Sequence, residues 1–275
     1  MIDPAAPEFW PQLFAVLLEG TWETLYMTAI AMAITFVVGL PLGIVLVGTE
    51  PGRFLEAPLG QRWLGRAINA VLGFVVNLGR SVPFIVLMIA LIPVTRWLLG
   101  SFIGTGPAIV PLTLVAIPFF VRVVEIAVRE VDPGLFEAAE SLGASRWLVV
   151  RRVLLPQAWP AIALGTATTV TSIINFSAMV GVVGGGGLGN VALTYGMQRY
   201  SALHIVFVVI ILFVIVQVVQ WLLTRLARRL SGATPAAGRT ARRAERAALD
   251  LDDASIVSAP ARQDPARGDT DSPTR

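Results

Sequence analysis

Long apolar segments alternate with short arginine-bearing segments along most of this chain. Four segments contain no Asp, Glu, Lys or Arg: residues 25–47, 107–121, 157–183 and 202–224. Three of these four reach the roughly 18 apolar residues that a helix needs to cross about 30 Å of hydrocarbon. The pattern therefore predicts an all-α integral membrane protein.

The apolar segments, extended to their flanking turn residues, predict five transmembrane helices, at about 22–48, 67–95, 107–128, 156–183 and 202–223. Gly39, Pro41 and Gly43 are expected to interrupt the first span and to bend it. The second span contains Arg80 and Pro83. One kinked helix is favoured here over an interfacial helix followed by a separate span.

Composition divides the chain into three parts. Residues 1–20 are predicted to be an external or interfacial segment, and residues 21–228 to be the transmembrane domain. Residues 231–275 are rich in Ala, Pro, Arg and Asp, so they cannot bury enough apolar surface to offset the entropy cost of ordering. We predict that this last part is a disordered cytoplasmic tail.

The overall composition supports a membrane protein and excludes some chemistry. Hydrophobic residues make up 55% of the chain and charged residues 14%, and the mean hydropathy is +0.74. The chain has no cysteine, which excludes disulfides and thiolate metal sites. All 21 basic residues are arginines, most of them beside apolar segments, so the basic pI indicates membrane flanks and not nucleic-acid binding.

The distribution of arginines between the loops predicts the orientation of the chain. Ten arginines lie in the loops on one side of the five predicted spans, and two lie on the other side. Arginine is favoured in short loops on the cytoplasmic side. The N-terminus is therefore predicted to be outside the cell, and the C-terminus to be in the cytoplasm.

The polar segment before the fourth span has the pattern of a helix, a glycine turn and a second helix. Asp132 and Pro133 suit the start of a helix, and Gly143 suits the left-handed residue that ends one. Ser145 suits the cap of a second helix over residues 146–154. Four apolar side chains share one face of the first helix: Leu135, Ala138, Ala139 and Leu142. On this pattern alone, an interfacial amphipathic hairpin without a partner is the favoured interpretation.

The same segment fits the spacing EAA-x3-G-x9-V-x-L-P, which resembles the cytoplasmic coupling loop of ABC importer permeases. The fixed positions are Glu137, Ala138, Ala139, Gly143, Val153, Leu155 and Pro156. Further segments that carry the resemblance are residues 79–84, 117–125, 143–145, 151–156, 177–179 and 185–189. The resemblance extends over about residues 21–228 and is strongest to the permeases of methionine importers.

This resemblance implies the type I importer fold, with five spans in each protomer and a cytoplasmic coupling helix. It also implies a homodimeric pore, a cytoplasmic dimer of ATPase subunits that bind ATP and Mg²⁺, and an external solute-binding protein. The loop motif, together with Ala144 and Arg146, is then expected to contact the ATPase, and Glu137 and Arg146 to form charged contacts. Asn175 and Phe176 depart from the family pattern, which has a smaller pair there.

A polar stripe on the fourth span is the candidate translocation path. Thr168, Thr171, Ser172, Asn175 and Met179 are spaced so that they lie on one face of a helix. Such a stripe either lines an aqueous path or holds neighbouring helices together. Asn175 is predicted to face the path or the dimer axis, because an unpaired amide is costly to bury. Met179 suits an apolar substrate side chain, although methionine is also a common packing residue.

Arg80 and Ser81 form the second part of the candidate path. Arg80 is predicted to lie well inside a span, where it should face protein or water. Three roles remain open for it: a counter-charge for a substrate carboxylate, a structural partner of a backbone carbonyl or of Glu125, or an interface anchor. Glu125 itself, with Arg122 and Arg129 at i+3 and i+4 spacing, is predicted to belong to a solvated charge cluster.

The glycine run after the fourth span is predicted to be a flexible external turn or gate. Its glycines are Gly184, Gly185, Gly186, Gly187 and Gly189. A phosphate-binding loop requires a Lys before Ser or Thr, and the chain has no Lys, so ATP is expected to bind another chain. His204 stands alone near the outer end of the fifth span, and a metal site is not predicted.

The function that the resemblance implies is the import of methionine, in the D or L form, across a bacterial cytoplasmic membrane, with no catalysis and no cofactor on this chain. The alternatives within the family are other amino acids, phosphonates and quaternary amines, the last of which would favour an aromatic cage. An ion-coupled carrier would need intramembrane Asp or Glu, which the first, second, fourth and fifth spans are expected to lack. A membrane enzyme is disfavoured, because no catalytic set of residues is predicted at one depth.

Overall fold

The computed structural model describes residues 7–230, and these form helices joined by turns, with no strand. In chain order the α-helices are α1 (Phe9–Gly48), α2 (Arg62–Ser81), α3 (Phe84–Leu99), α4 (Thr105–Arg129), α5 (Pro133–Ser141), α6 (Arg146–Val149), α7 (Leu155–Val182), α8 (Gly187–Val191) and α9 (Ala202–Leu230). Val150–Leu154 and Ala192–Gln198 are π-helical. The predicted disordered tail and residues 1–6 lie outside the described residues.

Three helices, α1, α4 and α7, form the centre of the helical body, with α4 packed against both of the others. The main hydrophobic core contains side chains from these helices and from α3, among them Met27, Met88, Phe120 and Ile162. A smaller core joins the first turns of α1 to α8 and α9. The long apolar segments of the sequence are therefore packed against one another and not only against lipid.

The first span differs from its predicted form in two ways. α1 begins at Phe9 instead of near Trp22, and it continues without interruption through Pro41. A Cβ atom on Gly39 would lie 2.8 Å from the Phe120 ring, and one on Gly43 would lie 2.6 Å from Val124. The predicted interruption is wrong, because these glycines serve to bring α1 close to α4 and do not break the helix.

The second span is not one kinked helix. α2 and α3 are bent by 112° at a break between Ser81 and Phe84. Val82 has the extended backbone (ψ 129°) that a following proline favours, and Pro83 precedes the first turn of α3. The favoured prediction of a kinked helix is therefore wrong, because a proline preceded by an extended residue ends a helix instead of bending it.

The break between α2 and α3 has other helices packed against both of its ends. At the end of α2, a Cβ atom on Gly79 would lie 2.6 Å from Pro118, which is near the middle of α4. At the start of α3, the ring of Phe84 stacks on the ring of Phe176 of α7, with a centroid distance of 4.6 Å. The two helix ends are thus held between α4 and α7.

The polar segment before α7 forms the predicted short helix, but the second predicted helix is not separate. α6 passes through the π-helical turn Val150–Leu154 directly into α7, so Arg146 and Val182 belong to one helical run. Pro156 lies in the first turn of α7, directly after the π-helical turn. No loop therefore separates α6 from α7.

Within residues 7–230, four helical runs are long and apolar enough to cross a membrane, and a fifth is obtained if the bent pair α2–α3 is one span. The four are α1, α4, the run that contains α7, and α9. The structure thus supports four to five candidate spans in an all-helical chain.

Candidate functional site

The backbone of the polar segment before α7 has the caps that its sequence predicts. We term this segment, residues 132–149, the elbow. Asp132 Oδ1 accepts a hydrogen bond from the Gly134 amide at 2.8 Å. Gly143 has a φ of 74°, the left-handed conformation that ends a helix. Ser145 Oγ accepts a hydrogen bond from the Leu148 amide at 3.4 Å and so caps α6.

Two side chains attach the elbow to the body of the protein. The Phe136 ring is stacked on the Phe54 ring at a centroid distance of 6.0 Å, with 7° between the ring planes. Arg146 donates a hydrogen bond to the Ala57 carbonyl at 3.2 Å. Phe54 and Ala57 belong to the turn between α1 and α2, so both contacts fix the elbow to the same turn. Sequence reasoning missed Phe136, because the predicted apolar face did not include it.

The predicted apolar face of α5 is largely open to solvent. Leu142 is 88% exposed, Leu135 is 39% exposed, and Ala138 is also exposed, whereas Ala139 is half-buried. On α6, Trp147 is 70% exposed. Phe136 thus holds the elbow to the body while its neighbours present apolar atoms outward. A protruding, anchored apolar surface of this kind is typical of a protein contact.

The remaining predicted contact residues lie at the base of the elbow. Ala144 and Leu155 are half-buried, whereas Pro156 is exposed. The side chain of Glu137 is outside the described atoms, so its charged contact stays a prediction. Arg146 has a backbone carbonyl as its partner and is exposed, which leaves part of its guanidinium accessible.

The charge cluster before the elbow is only partly solvated: its arginine side chains are partly exposed, but the predicted solvation is wrong for its carboxylate. Glu125 is only 4% exposed, and its Oε1 pairs with Arg122 and, at 2.8 Å, with Arg129. Arg129 also pairs with Glu50 at 2.5 Å. A buried carboxylate needs such partners, because an unpaired charge is costly to remove from water. The network joins the turn after α1 to the C-terminal end of α4, at the point where the chain enters the elbow.

The polar stripe of α7 lies on an accessible face. Thr168, Asn175 and Met179 are exposed in the protomer, and Ser172 is half-buried. The Thr168 hydroxyl donates to the Gly165 carbonyl at 2.8 Å, and the Ser172 hydroxyl donates to the Thr168 carbonyl at 3.0 Å. Within the described residues, no hydrogen bond holds the Asn175 side chain. Its amide is thus the group of this stripe that is available to a solute or a partner.

The opposite face of α7 has a different character. Thr166 and Val170 are about 160° away from the polar stripe, and Ile174 is about 120° away, at about 100° per helical residue. They line a groove of about 500 Å³ together with side chains of α1 and with Val219 of α9. Its walls are almost wholly apolar. α7 therefore separates an apolar groove from a polar surface.

Arg80 and Ser81 lie at the break between α2 and α3, and not inside a continuous span as predicted. Arg80 is exposed, and the Ser81 hydroxyl donates to the Asn77 carbonyl at 2.8 Å. The suggested pair of Arg80 with Glu125 is not formed, since Glu125 is bound by two other arginines. Because Phe84 stacks on Phe176, the break lies close to the α7 turn that carries Asn175. The two parts of the candidate path are thus brought to one region.

The glycine run is a packed junction and not the flexible turn that the sequence predicted. We term residues 184–189 the glycine junction. Gly185, Gly186, Gly187 and Gly189 are buried, and the helical run α8 begins at Gly187. The Gly104 amide donates to the Gly184 carbonyl at 2.9 Å, which ties the junction to the start of α4. A side chain at Gly189 would collide with the backbone of Ala178, and one at Gly186 or Gly187 would collide with side chains of α1.

Glu23 is a polar residue of this region that the sequence interpretation overlooked. It lies within α1, so the expectation that the first span lacks acids is wrong. Its Oε2 atom accepts a hydrogen bond from the Gly187 amide at 2.6 Å. The signal was present in the sequence as an acid at the edge of an apolar segment, but its partner is 164 positions away.

His204 is buried at the start of α9. Its Nδ1 atom is hydrogen-bonded to Ser201 Oγ at 2.7 Å, and its ring stacks on Tyr195 at a centroid distance of 4.9 Å. Phe9 of α1 packs edge-on against the same ring. These contacts describe a histidine that is satisfied by packing and by one hydrogen bond.

The sequence of this chain matches the family model described as binding-protein-dependent transport system inner membrane component over residues 39–232. A probable D-methionine transport system permease protein MetI of Vibrio cholerae is 48% identical over 215 residues, which cover 78% of this chain and 92% of the relative. The methionine import system permease protein MetP of Bacillus subtilis is 39% identical over 214 residues, which cover 76% of this chain and 92% of the relative.

Solved structures give the same result. A chain from an inward-facing conformation of the MetNI methionine ABC transporter superposes with a TM-score of 0.73 at 38% identity, covering 82% of this chain and 99% of that one. A chain of an amino acid ABC transporter has a TM-score of 0.65 at 22% identity, which supports the fold alone, and covers 83% of this chain and 99% of that one. This chain has the type I ABC importer permease fold, and it belongs to the family of inner membrane components of binding-protein-dependent transport systems.

Proposed function

We propose that this chain is the membrane-spanning subunit of an importer that moves methionine, in the D or L form, into the cell with energy from a separate ATPase. The observation that carries the proposal is the elbow, an anchored protrusion whose outer side chains are apolar and exposed. The relatives from Vibrio cholerae and Bacillus subtilis, which are named as methionine permeases, support the substrate. ATP and Mg²⁺ belong to the partner, and this chain performs no catalysis.

In this proposal the ATPase binds the exposed face of the elbow. Leu142 and Trp147 supply apolar contact area, and Ala138 allows close approach. The membrane-spanning part has five spans, with α2 and α3 together forming the second. The orientation follows the loop arginines, so the elbow and the C-terminus are cytoplasmic and the N-terminus is outside.

Two copies of the chain form the pore, with the polar stripes of α7 facing the path between them. The position of α7 determines whether the path is open or closed. A movement of the elbow displaces α7, because α6 at the end of the elbow and α7 belong to one continuous helical run from Arg146 to Val182. Arg80, at the break between α2 and α3, is placed to attract a substrate carboxylate, and Met179 to contact an apolar side chain. An external binding protein delivers the solute to the side that carries the glycine junction.

The test is a substrate-dependent ATPase assay of the complex reconstituted in lipid vesicles with its ATPase and binding protein. We expect L-methionine or D-methionine, delivered by the binding protein, to stimulate ATP hydrolysis and to be imported. Histidine, a phosphonate and a quaternary amine are expected neither to stimulate hydrolysis nor to be imported. Import by the purified chain without any ATPase would contradict the proposal. Stimulation by another solute of the panel, but not by methionine, would support the role as an importer permease and contradict methionine as its substrate.

A further inference from the structure

Two neighbouring polar residues of α1 bind the glycine junction from the side. Glu23 Oε2 accepts a hydrogen bond from the Gly187 amide at 2.6 Å, and Thr24 Oγ1 accepts one from the Leu188 amide at 2.9 Å. The Thr24 hydroxyl itself donates to the Gly20 carbonyl at 2.8 Å, which orients its oxygen toward the junction. The first two amides of α8 are therefore both held by α1.

The junction is shaped to fit these two side chains. A Cβ atom on Gly186 would lie 2.9 Å from Glu23 Oε2, and one on Gly187 would lie 2.8 Å from Thr24 Oγ1. Both glycines also have positive φ angles, of 79° and 75°. Because the close approach and the backbone conformation both require glycine, the contact with α1 is built into the junction.

The charge of Glu23 is balanced by backbone and not by an arginine. Within residues 7–230, Glu23 takes part in none of the ion pairs, which involve only Glu50, Glu56 and Glu125 as acids. A carboxylate that accepts a hydrogen bond from a backbone amide at a helix start is stabilised by charge and by the helix dipole. Glu19, one turn earlier on α1, is exposed and offers a matched comparison.

We propose that Glu23 is a positioning residue for transport, because it fixes the glycine junction to α1 and so gives α7 a fixed point at its outer end. This inference rests on the proposed function, in which the elbow moves α7. The junction follows the end of α7, which carries Asn175 and Met179, and includes the first residues of α8. When it is held, a displacement at the elbow changes the position of the polar stripe. When it is free, the junction yields and ATP is hydrolysed without transport.

The experiment compares Glu23→Ala, Glu23→Gln and Glu19→Ala in the reconstituted complex with its ATPase and binding protein. The quantity measured is the number of ATP molecules hydrolysed for each methionine imported. Loss of a charge-assisted hydrogen bond is expected to raise this ratio about tenfold in Glu23→Ala, with ATP hydrolysis itself changed less than about twofold. Glu23→Gln keeps an oxygen acceptor and is expected to be intermediate, and Glu19→Ala to match the parent.

A second measurement reports on the junction without transport. The chain has no cysteine, so a single Thr105→Cys change creates a unique thiol. The Thr105 side chain lies 2.8 Å from the position of a Cβ atom on Gly186, which places it against the junction. In the Glu23→Ala background we expect a membrane-impermeant maleimide to label it about tenfold faster, and in the Glu19→Ala background at the parent rate.

Three outcomes decide between the possibilities. Parent-like ratios and labelling rates in Glu23→Ala overturn the positioning role. The positioning role is also overturned if Glu23→Gln has the parent ratio of ATP hydrolysed to methionine imported and Glu23→Ala differs only in giving less folded complex. That pattern would mean that Glu23 contributes to stability alone. If the parent complex does not import methionine but labelling responds to Glu23→Ala as expected, the proposed substrate fails and the fixed junction stands.

Discussion

At the scale of single residues, glycines decide how closely the helices approach each other. A Cβ atom on Gly165 of α7 would overlap the Val123 side chain of α4, and one on Gly39 or Gly43 of α1 would collide with Phe120 or Val124 of α4. In a membrane, helices associate mainly through close van der Waals packing, and small residues make that packing possible. The sequence marked Gly39 and Gly43 as unusual, but it did not reveal that both face α4.

Gly43→Ala is expected to destabilise the protein by about 1–3 kcal/mol, because the added methyl group lies 2.6 Å from Val124 in a packed interface. Gly73→Ala is the matched control. Its Cβ atom would have an ordinary contact of 3.9 Å with Leu46, so removal of a helical glycine should be neutral or stabilising by about 0.5–1 kcal/mol. Thermal unfolding of the purified chains in detergent measures both, and equal midpoints would contradict the assignment of Gly43 to the interface.

Arg80→Ala is expected to lower methionine import about tenfold, because the proposed hydrogen bond between the guanidinium group and the substrate carboxylate is lost. Arg80 is exposed and has no ion-pair partner among the described residues, so membrane insertion and ATPase binding should be unchanged. Arg80→Lys keeps the charge and should retain part of the import. Uptake at the parent level in Arg80→Ala, measured with radiolabelled methionine, would remove Arg80 from the path.

At the scale of elements, the elbow is a short helix held on one side and exposed on the other. Phe136 belongs to the held side, because its ring stacks on Phe54. Leu142, just after the same helix, belongs to the open side and is 88% exposed. Helical periodicity predicted an apolar face, and the motif spacing predicts that this face contacts an ATPase. Neither identified Phe136, because the surface that it packs on comes from a different part of the chain.

Phe136→Ala and Leu142→Ala are expected to have different effects. Leu142→Ala removes an exposed contact and should weaken binding of the ATPase, by up to about tenfold for one apolar side chain in an interface. Phe136→Ala leaves that face intact but frees the elbow from the body, so binding should persist while import per ATP falls. Pull-down of the ATPase and vesicle uptake distinguish them, and identical profiles would count against separate docking and anchoring roles.

The break between α2 and α3 shows the limit of local patterns at this scale. Arg80 and Pro83 are visible in the sequence as irregularities within an apolar segment. Whether a proline bends a helix or ends it depends on what surrounds the freed backbone groups. Here Pro118 and Phe176 pack against the two helix ends and hold them at 112°. That decision required residues from two other helices.

At the scale of the whole molecule, the protomer has accessible faces that only a larger assembly would cover. The polar stripe of α7 is exposed, and α9 contributes few buried side chains over most of its length. Polar groups such as the Asn175 amide are costly against lipid. A second copy of the chain that encloses the stripe, as in the proposed pore, would remove this cost.

Asn175→Cys is therefore expected to form a disulfide between two protomers under mild oxidation, since the parent chain has no cysteine to compete. Val170→Cys, on the same helix but in the apolar groove beside α1 and α9, is the matched control and should not cross-link. Non-reducing electrophoresis of oxidised membranes gives the result. Dimers from the Val170→Cys chain alone would place the two-fold contact on the opposite face of α7.

The sequence by itself determined the class of protein, the approximate helices and the elbow. Apolar segments long enough to cross a membrane, the capping residues Asp132 and Ser145, and the left-handed Gly143 all act through nearest neighbours along the chain. Such signals depend only on which residue types occur at which distances along the chain, and these can be read from the sequence. The motif in the elbow likewise identified the family before any coordinate was known.

Tertiary structure alone decided which polar residues are paired and which are open. Glu23 holds the glycine junction, and Glu125 is buried between Arg122 and Arg129, where solvation was predicted. Partners that are far apart in the sequence, or a depth of burial that depends on other helices, leave no local trace. Packing also turned a predicted flexible glycine turn into a closed junction, because backbone can approach backbone only where the fold brings the two together.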